Sequence, residues 1–345
     1  MRAQRGMSLI ELMVGIVIAL LVGLAAAGSA QMFTASQRQG VGTGGTSANV
    51  SAALSAIKND IAQVGLGFFG DSRFLCNTLN LSVDTTRLSD GAVFAPIQMT
   101  RTNGFDSIDV IYGTQIESGT NVLINAVSDA TSAQLMSLLP ATAGQAVLLA
   151  PANPGAACTV RSITTTVAPT ATSLQQLTFA NTGAHNQVAF SVPPTYASRS
   201  RITLLGGLQW NRFRVDAGSL MIEQRLLGTS AILLRNVLAF RGEYGVSANA
   251  LNSTTLESWE DAESSGWTSI TAANIARVRA MRIGIVTRSP QPEKPDTSGN
   301  CTASSAKPTL FGDTVEPDVT DWKCYRYRTA VVVVPLRNVV MGLKP

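Results

Sequence analysis

Residues 5–27 read Arg5-Gly-Met-Ser-Leu-Ile-Glu-Leu-Met-Val-Gly-Ile-Val-Ile-Ala-Leu-Leu-Val-Gly-Leu-Ala-Ala-Ala27, and the fold of the remaining chain hangs on this stretch. From Met7 to Ala27 it holds a single ionisable residue, Glu11. At 1.5 Å per residue the run makes a helix roughly 31 Å long, enough to cross the hydrocarbon core of a bilayer. A carboxylate at the centre of a membrane costs on the order of 2.5–3.5 kcal/mol. Glu11 lies about one turn from the end of the run, where the cost is smaller, and still requires a partner. Arg2 and Arg5 precede the run and no comparable basic cluster follows it closely. The positive-inside rule therefore puts the N-terminus in the cytoplasm and the bulk of the chain across the membrane, in the periplasm or outside. An ordinary secretory signal is the competing reading, with Gly28-Ser-Ala30 as its small-residue cleavage site. A Glu within the apolar region is foreign to such a signal.

Working outward, the chain of 345 residues has room beyond the anchor for one large domain or two small ones. Only 14% of its residues are charged, which suits a membrane span followed by an exported Ser/Thr/Ala-rich body. A net charge of +4 does not by itself name a nucleic-acid partner. The four cysteines, Cys76, Cys158, Cys301 and Cys324, are widely spaced and include no C-x-x-C pair. That spacing argues against zinc and for disulfides in an oxidising compartment.

The first helix is expected to continue to Gln39 and to break at the glycine-rich Gly40–Gly45, where each Gly costs about 1 kcal/mol relative to Ala. A second helix then starts near Thr46 or Ser47, with Val50, Leu54, Ile57, Ile61 and Val64 as its apolar stripe and Gly65 and Gly67 as its end. Strands are expected at Ser107–Tyr112, Ala146–Leu149, Gln187–Val192, Arg201–Leu205, Arg277–Thr287 and Tyr325–Val334. The strongest hairpin signal joins Leu208–Val215 to Ser219–Leu226 through Asp216-Ala-Gly218. No βαβ alternation appears, so the class is α+β: a long N-terminal helix, then a mostly antiparallel sheet domain with long loops. Thr114–Gln175 reads as an elaboration between strands. Ser289–Lys323, with five prolines, reads as a loop that needs a staple. Four cysteines allow three pairings. A near-local Cys301–Cys324 bond would supply that staple, worth about 3 kcal/mol in the chain-entropy model, and Cys76–Cys158 follows by elimination.

No nucleophile elbow, zincin, P-loop or dinucleotide fingerprint occurs, so no enzyme, cofactor or metal is expected. The single histidine, His185, stands in a turn-like Gly-Ala-His-Asn setting and reads as an exposed, idle side chain. The acidic run Glu257–Glu263 and the set Asp313, Glu316, Asp318 and Asp321 could offer oxygens to calcium, but neither matches an EF-hand loop. The pairs Arg199/Arg201, Arg212/Arg214, Arg277/Arg279 and Arg326/Arg328 are spaced i, i+2, so each pair lies on one face of a strand. Such a face either meets DNA phosphates or pairs with carboxylates of this or a neighbouring subunit. No aromatic interleaving supports a single-strand platform.

Gly6 followed by Met-Ser-Leu-Ile-Glu-Leu-Met resembles the prepilin leader and N-terminus of type IV pilins and pseudopilins. The resemblance implies a leader of residues 1–6 removed by prepilin peptidase between Gly6 and Met7, methylation of Met7 as the new terminus, and an assembly role for Glu11 as the fifth mature residue. One departure is Met7, where Phe is commoner. It divides the chain into the leader 1–6, an N-terminal helix 7–65 with a transmembrane part 7–27, and a β-rich globular domain 66–345. Asp60-Ile-Ala-Gln-Val-Gly-Leu-Gly-Phe-Phe-Gly70, Ile232–Phe240, Tyr244-Gly245, Arg279–Arg288 and Tyr327–Asn338 look like the PilW-type minor pilins, in the right order along nearly the whole chain. That family implies a minor pilin that primes or caps a type IV pilus with other minor pilins and the major pilin, with a large tip adhesin as a further partner. A pseudopilin of type II secretion and a DNA- or surface-binding tip module remain as alternatives. Major pilins and most J-type pseudopilins are much shorter than 345 residues, which favours PilW.

Overall fold

The computed structural model describes residues 9–70, 73–115, 117–126, 129, 131–152, 156–191, 195–249, 253 and 255–342. One helix runs from Leu9 to Gln63, and its backbone continues through Gly40–Gly45 where a break was expected. The cost of the glycines is local, at about 1 kcal/mol each, while helix propagation adds one hydrogen bond per residue on either side. The expected stripe is the buried face of the C-terminal part: Val50, Leu54, Ile57, Ile61 and Val64 are all 8% exposed or less. Gly65, at φ 76°, turns the chain out of the helix.

Two antiparallel sheets form the body that this stripe covers. The five-stranded sheet has the order Thr229–Arg235, Ser219–Gln224, Leu208–Asp216, Phe105–Gly113, Ile97–Thr102. The four-stranded sheet has the order Ser258–Asp261, Val237–Val246, Val278–Arg288, Tyr327–Pro335. They pack face to face where Gly242 leaves room: a Cβ there would lie 2.5 Å from the Met99 sulfur. The Met99 N–H donates to the buried Tyr244 hydroxyl at 2.6 Å, and the Gly242 N–H donates to Asp106 at 2.8 Å. The N-terminal helix packs against Thr229–Arg235 and Tyr327–Pro335, an edge strand of each sheet, so one element covers both. The hairpin expected at 208–226 forms with a tighter connection than three residues: Ala217 and Gly218 alone, both at positive φ (45° and 69°), as a right-twisted ribbon requires.

Thr114–Gln175, expected as an elaboration, supplies strands to two further sheets. A six-stranded sheet runs Thr86–Val93, Thr78–Val83, Cys158–Ser162, Ala146–Ala150, Arg201–Gly206, Asn121–Leu123. A three-stranded sheet runs Thr165–Val167, Gln175–Thr178, Ser132–Leu135. Between them lies a second core containing Leu149, Leu177, Phe179, Tyr196 and Ile202. Gln187–Val192 forms no strand among its described residues. The sheets are antiparallel except where Cys158–Ser162 pairs in parallel with Thr78–Val83. Disulfides join Cys76 to Cys158 beside that parallel pair and Cys301 to Cys324 across the proline-rich loop.

Candidate assembly site

Gly6 and Met7, the expected cleavage and methylation positions, lie outside the described residues. Glu11 is in the third position of the described helix, and its side chain also lies outside what is described. Around it the helix is apolar and uncovered: Ile10 is 71% exposed, Met13 59%, Val17 57%, Leu21 65% and Leu24 70%. Successive residues of a helix are about 100° apart. The exposed residues Val14, Ile16, Val17, Ile18, Leu20, Leu21 and Val22 therefore point in every direction round the axis. A helix apolar on all sides requires cover on all sides, which a membrane or a packed filament supplies and a single groove does not. Among the described residues no helix is long and apolar enough to cross a membrane. Contiguous described side chains there run from Met13 to Leu24, about 18 Å of helix.

The far end of the helix is tied down by polar contacts that the sequence did not reveal. Asp60 accepts from the Tyr112 hydroxyl at 2.9 Å and from the Asn211 amide at 2.7 Å, joining the helix to two strands of the five-stranded sheet. Burial first, and then the Asp60 charge, raise the Tyr112 pKa, so the phenol stays a donor. The Asn338 amide, from the C-terminal helix Arg337–Gly342, donates to the carbonyls of Gln63 and Val64 and satisfies the helix end. A carboxylate between apolar stripe positions was the only signal for Asp60. Asn338 had none, because its partner is 275 residues away.

The two sheets are tied together by an ion cluster around one buried arginine. Arg101, with 7% of its side chain exposed, pairs with the fully buried Asp106 at 2.7 Å, Asp261 at 3.0 Å and Glu263 at 2.7 Å. Burial alone would lower the guanidinium pKa, and the hydrogen bond and charge of Asp106, with Glu263 and Asp261, reverse that and raise it. In the acidic run 257–263, Asp261 and Glu263 are thus engaged by Arg101, and Glu257 accepts from the Ala248 N–H. In the other acidic set Asp318 pairs with Arg288 and Glu316 with Lys307. Among the described residues no group of three or more such side chains could hold a metal ion.

The arginine pairs are largely spent on protein partners. Arg212 meets Asp109, Arg214 meets Glu223, and Arg326 meets Glu293. Arg201 donates to Asn121, Arg277 to the Ser247 carbonyl and the buried Arg279 to the carbonyls of Ser253, Ala276 and Asn249. Arg199 sits at φ 71°, outside any strand, so it shares no strand face with Arg201. His185 is buried, contrary to the exposed setting expected: the turn folds under, and its Nδ1 lies 2.7 Å from the Ser82 carbonyl oxygen.

The described helix is thus apolar and uncovered near one end and seated at the other on an antiparallel body. Residues 1–27 match the prokaryotic N-terminal methylation motif, and residues 214–338 match the type IV pilus-assembly protein W family. Both matches support a PilW-type minor pilin, the family that the sequence resembles. Among solved structures the chain is similar to the type IV-like pilin TTHA1219 from Thermus thermophilus, at 10% identity, over 85% of this chain and 96% of that one, with a TM-score of 0.35. No curated protein matches the chain.

Proposed function

We propose that this protein is a minor pilin that primes or caps a type IV pilus. Prepilin peptidase removes Met1–Gly6, Met7 becomes the methylated terminus, residues 7–27 hold the chain in the inner membrane, and the β-rich domain stands in the periplasm until it enters the pilus. Its partners are the other minor pilins and the major pilin, with a large adhesin at the tip. The observation that carries this reading is the prepilin motif over residues 1–27 joined, through one helix, to a domain whose residues 214–338 match a pilus-assembly family. Glu11 is its assembly residue. In an apolar filament a carboxylate at low dielectric pairs strongly with a neighbour's N-terminal amine, and in only one register. Mass spectrometry of the N-terminal peptide from purified membranes tests the reading. A mature chain that begins at N-methylated Met7 supports it, and one that begins at Gln31 overturns it.

A further inference from the structure

Along the strand Leu208–Asp216 the side chains of Asn211 and Phe213 are buried, 4% and 0% exposed, and Trp210 and Arg212 lie on the opposite, outer face. A groove of about 160 Å³ lies there, beside Thr86–Val93, the edge strand of the six-stranded sheet. At its floor Asp109, directly across from Arg212 in register, accepts from the Trp210 indole at 3.0 Å, Arg212 Nε at 2.9 Å and Arg225 Nη1 at 3.2 Å. Arg225 also stacks on the Trp210 ring, 4.3 Å from its centroid. Two guanidiniums share one carboxylate, so the set keeps an excess positive charge. Each guanidinium donates one hydrogen bond to Asp109 and has about five N–H donors in all. The wall is apolar and open, with Val93 62% exposed.

Size and charge select the occupant. Sites for small molecules run to about 300–1,000 Å³, so a groove near half the lower bound takes one side chain of a larger partner. Duplex DNA presents a charge about every 1.7 Å and is met by rows of cations, which one excess charge is not. Tryptophan and arginine are also the residue types that dominate binding energy at protein interfaces. We propose that this groove docks an aspartate or glutamate side chain, flanked by an apolar residue, on an extended segment of a neighbouring protein subunit. The proposal deepens the assembly reading and rests on it for the nature of the neighbour.

The test places photoreactive p-benzoylphenylalanine at Val93 of the full chain in its own cells and maps the cross-linked peptide by mass spectrometry. The expected adduct is a protein segment with Asp or Glu beside the linked residue. Arg225→Gln should cut its yield about tenfold, the scale of a lost charge pair at an interface. Ala92→Glu, which adds a carboxylate from the opposite wall of the groove at an exposed position, should do the same if Arg225→Gln lowers the melting temperature. Exchanging the captured acid for Arg should restore capture by Arg225→Glu. An adduct to nucleic acid, a segment without a carboxylate, no adduct, or a yield indifferent to both substitutions overturns the proposal. The N-terminus of the same material separates the two readings: a chain starting at Met7 with no acidic adduct overturns the groove alone.

Discussion

Glu11 and His185 are titratable residues for which opposite outcomes are expected, one bearing on the proposed assembly and one on the fold. The described polar contacts of the helix with the body come from its other end. Glu11→Ala should leave cleavage after Gly6, membrane insertion and both disulfides intact and lower recruitment into the pilus. Pilus counts and co-purification of the other minor pilins measure this, and a mutant that assembles like wild type would contradict the charge-pair account. His185 acts within the monomer. Burial first, and then the Arg161 charge, lower its pKa, against the opposing pull of the Ser82 carbonyl and Asp84. A depressed folded pKa means that the unfolded chain takes up a proton which the folded chain refuses. Stability is therefore full above the unfolded value, about 6.5, and is lost as pH falls below it. Melting temperature should drop between pH 7.5 and 5 in the wild type, and His185→Asn should flatten that part of the curve.

At the scale of elements, the helix is seated by an apolar stripe and locked by a few polar contacts. Ile57 and Ile61 are fully buried in the main core, so Ile57→Ala should cost about 2–5 kcal/mol by urea denaturation of the full chain in detergent. Asp60→Ala should cost about 1–3 kcal/mol, because it strands the Tyr112 hydroxyl and the Asn211 amide, whose Oδ1 already has no partner. The double mutant should lose less than the sum of the two, since the residues are one turn apart on the same helix. Continuity through Gly40–Gly45 makes the opposite prediction for glycine: Gly42→Ala should raise helicity by circular dichroism and gain up to about 1 kcal/mol.

For the whole molecule, the two disulfides do different work. Cys76–Cys158 spans 82 residues and binds the six-stranded sheet to the segment that follows the helix. Cys301–Cys324 spans 23 residues and closes a loop against the end of the four-stranded sheet. Loop-closure entropy gives about 4.5 kcal/mol for the first and about 3.4 for the second. Cys76→Ser/Cys158→Ser should accordingly lower the melting temperature more than Cys301→Ser/Cys324→Ser. Hydrogen exchange should show the first change loosening Ala146–Ala150 and the second confined to residues near 289–326. Equal losses would mean that strain or residual structure, and not chain entropy, sets the difference.

Local pattern is the part of this fold that was legible in the chain. The apolar run of residues 7–27, the 4-3-4-3 stripe from Val50 to Val64 and the hairpin about Ala217–Gly218 each encode their geometry within a few turns or strands, because periodicity and turn chemistry are properties of neighbours. Cysteine spacing reached further only because so few pairings exist. The Ser/Thr/Ala-rich region was opaque for the converse reason, apart from the strand expected at Ala146–Leu149. Its other strands, among them Cys158–Ser162 and Gln175–Thr178, are three to five residues long and owe their place to partners distant in the chain, as Cys158–Ser162 does to Thr78–Val83. The same holds for charge. Arg101 and Arg212 look alike in the sequence, yet one lies buried among three carboxylates and the other lines an open groove. The sequence by itself determined that there is a long apolar helix and a face by which it is seated. Tertiary structure decided which charges are buried inside the fold and which line its surface, because a charge's partner is set by distance in space and not along the chain.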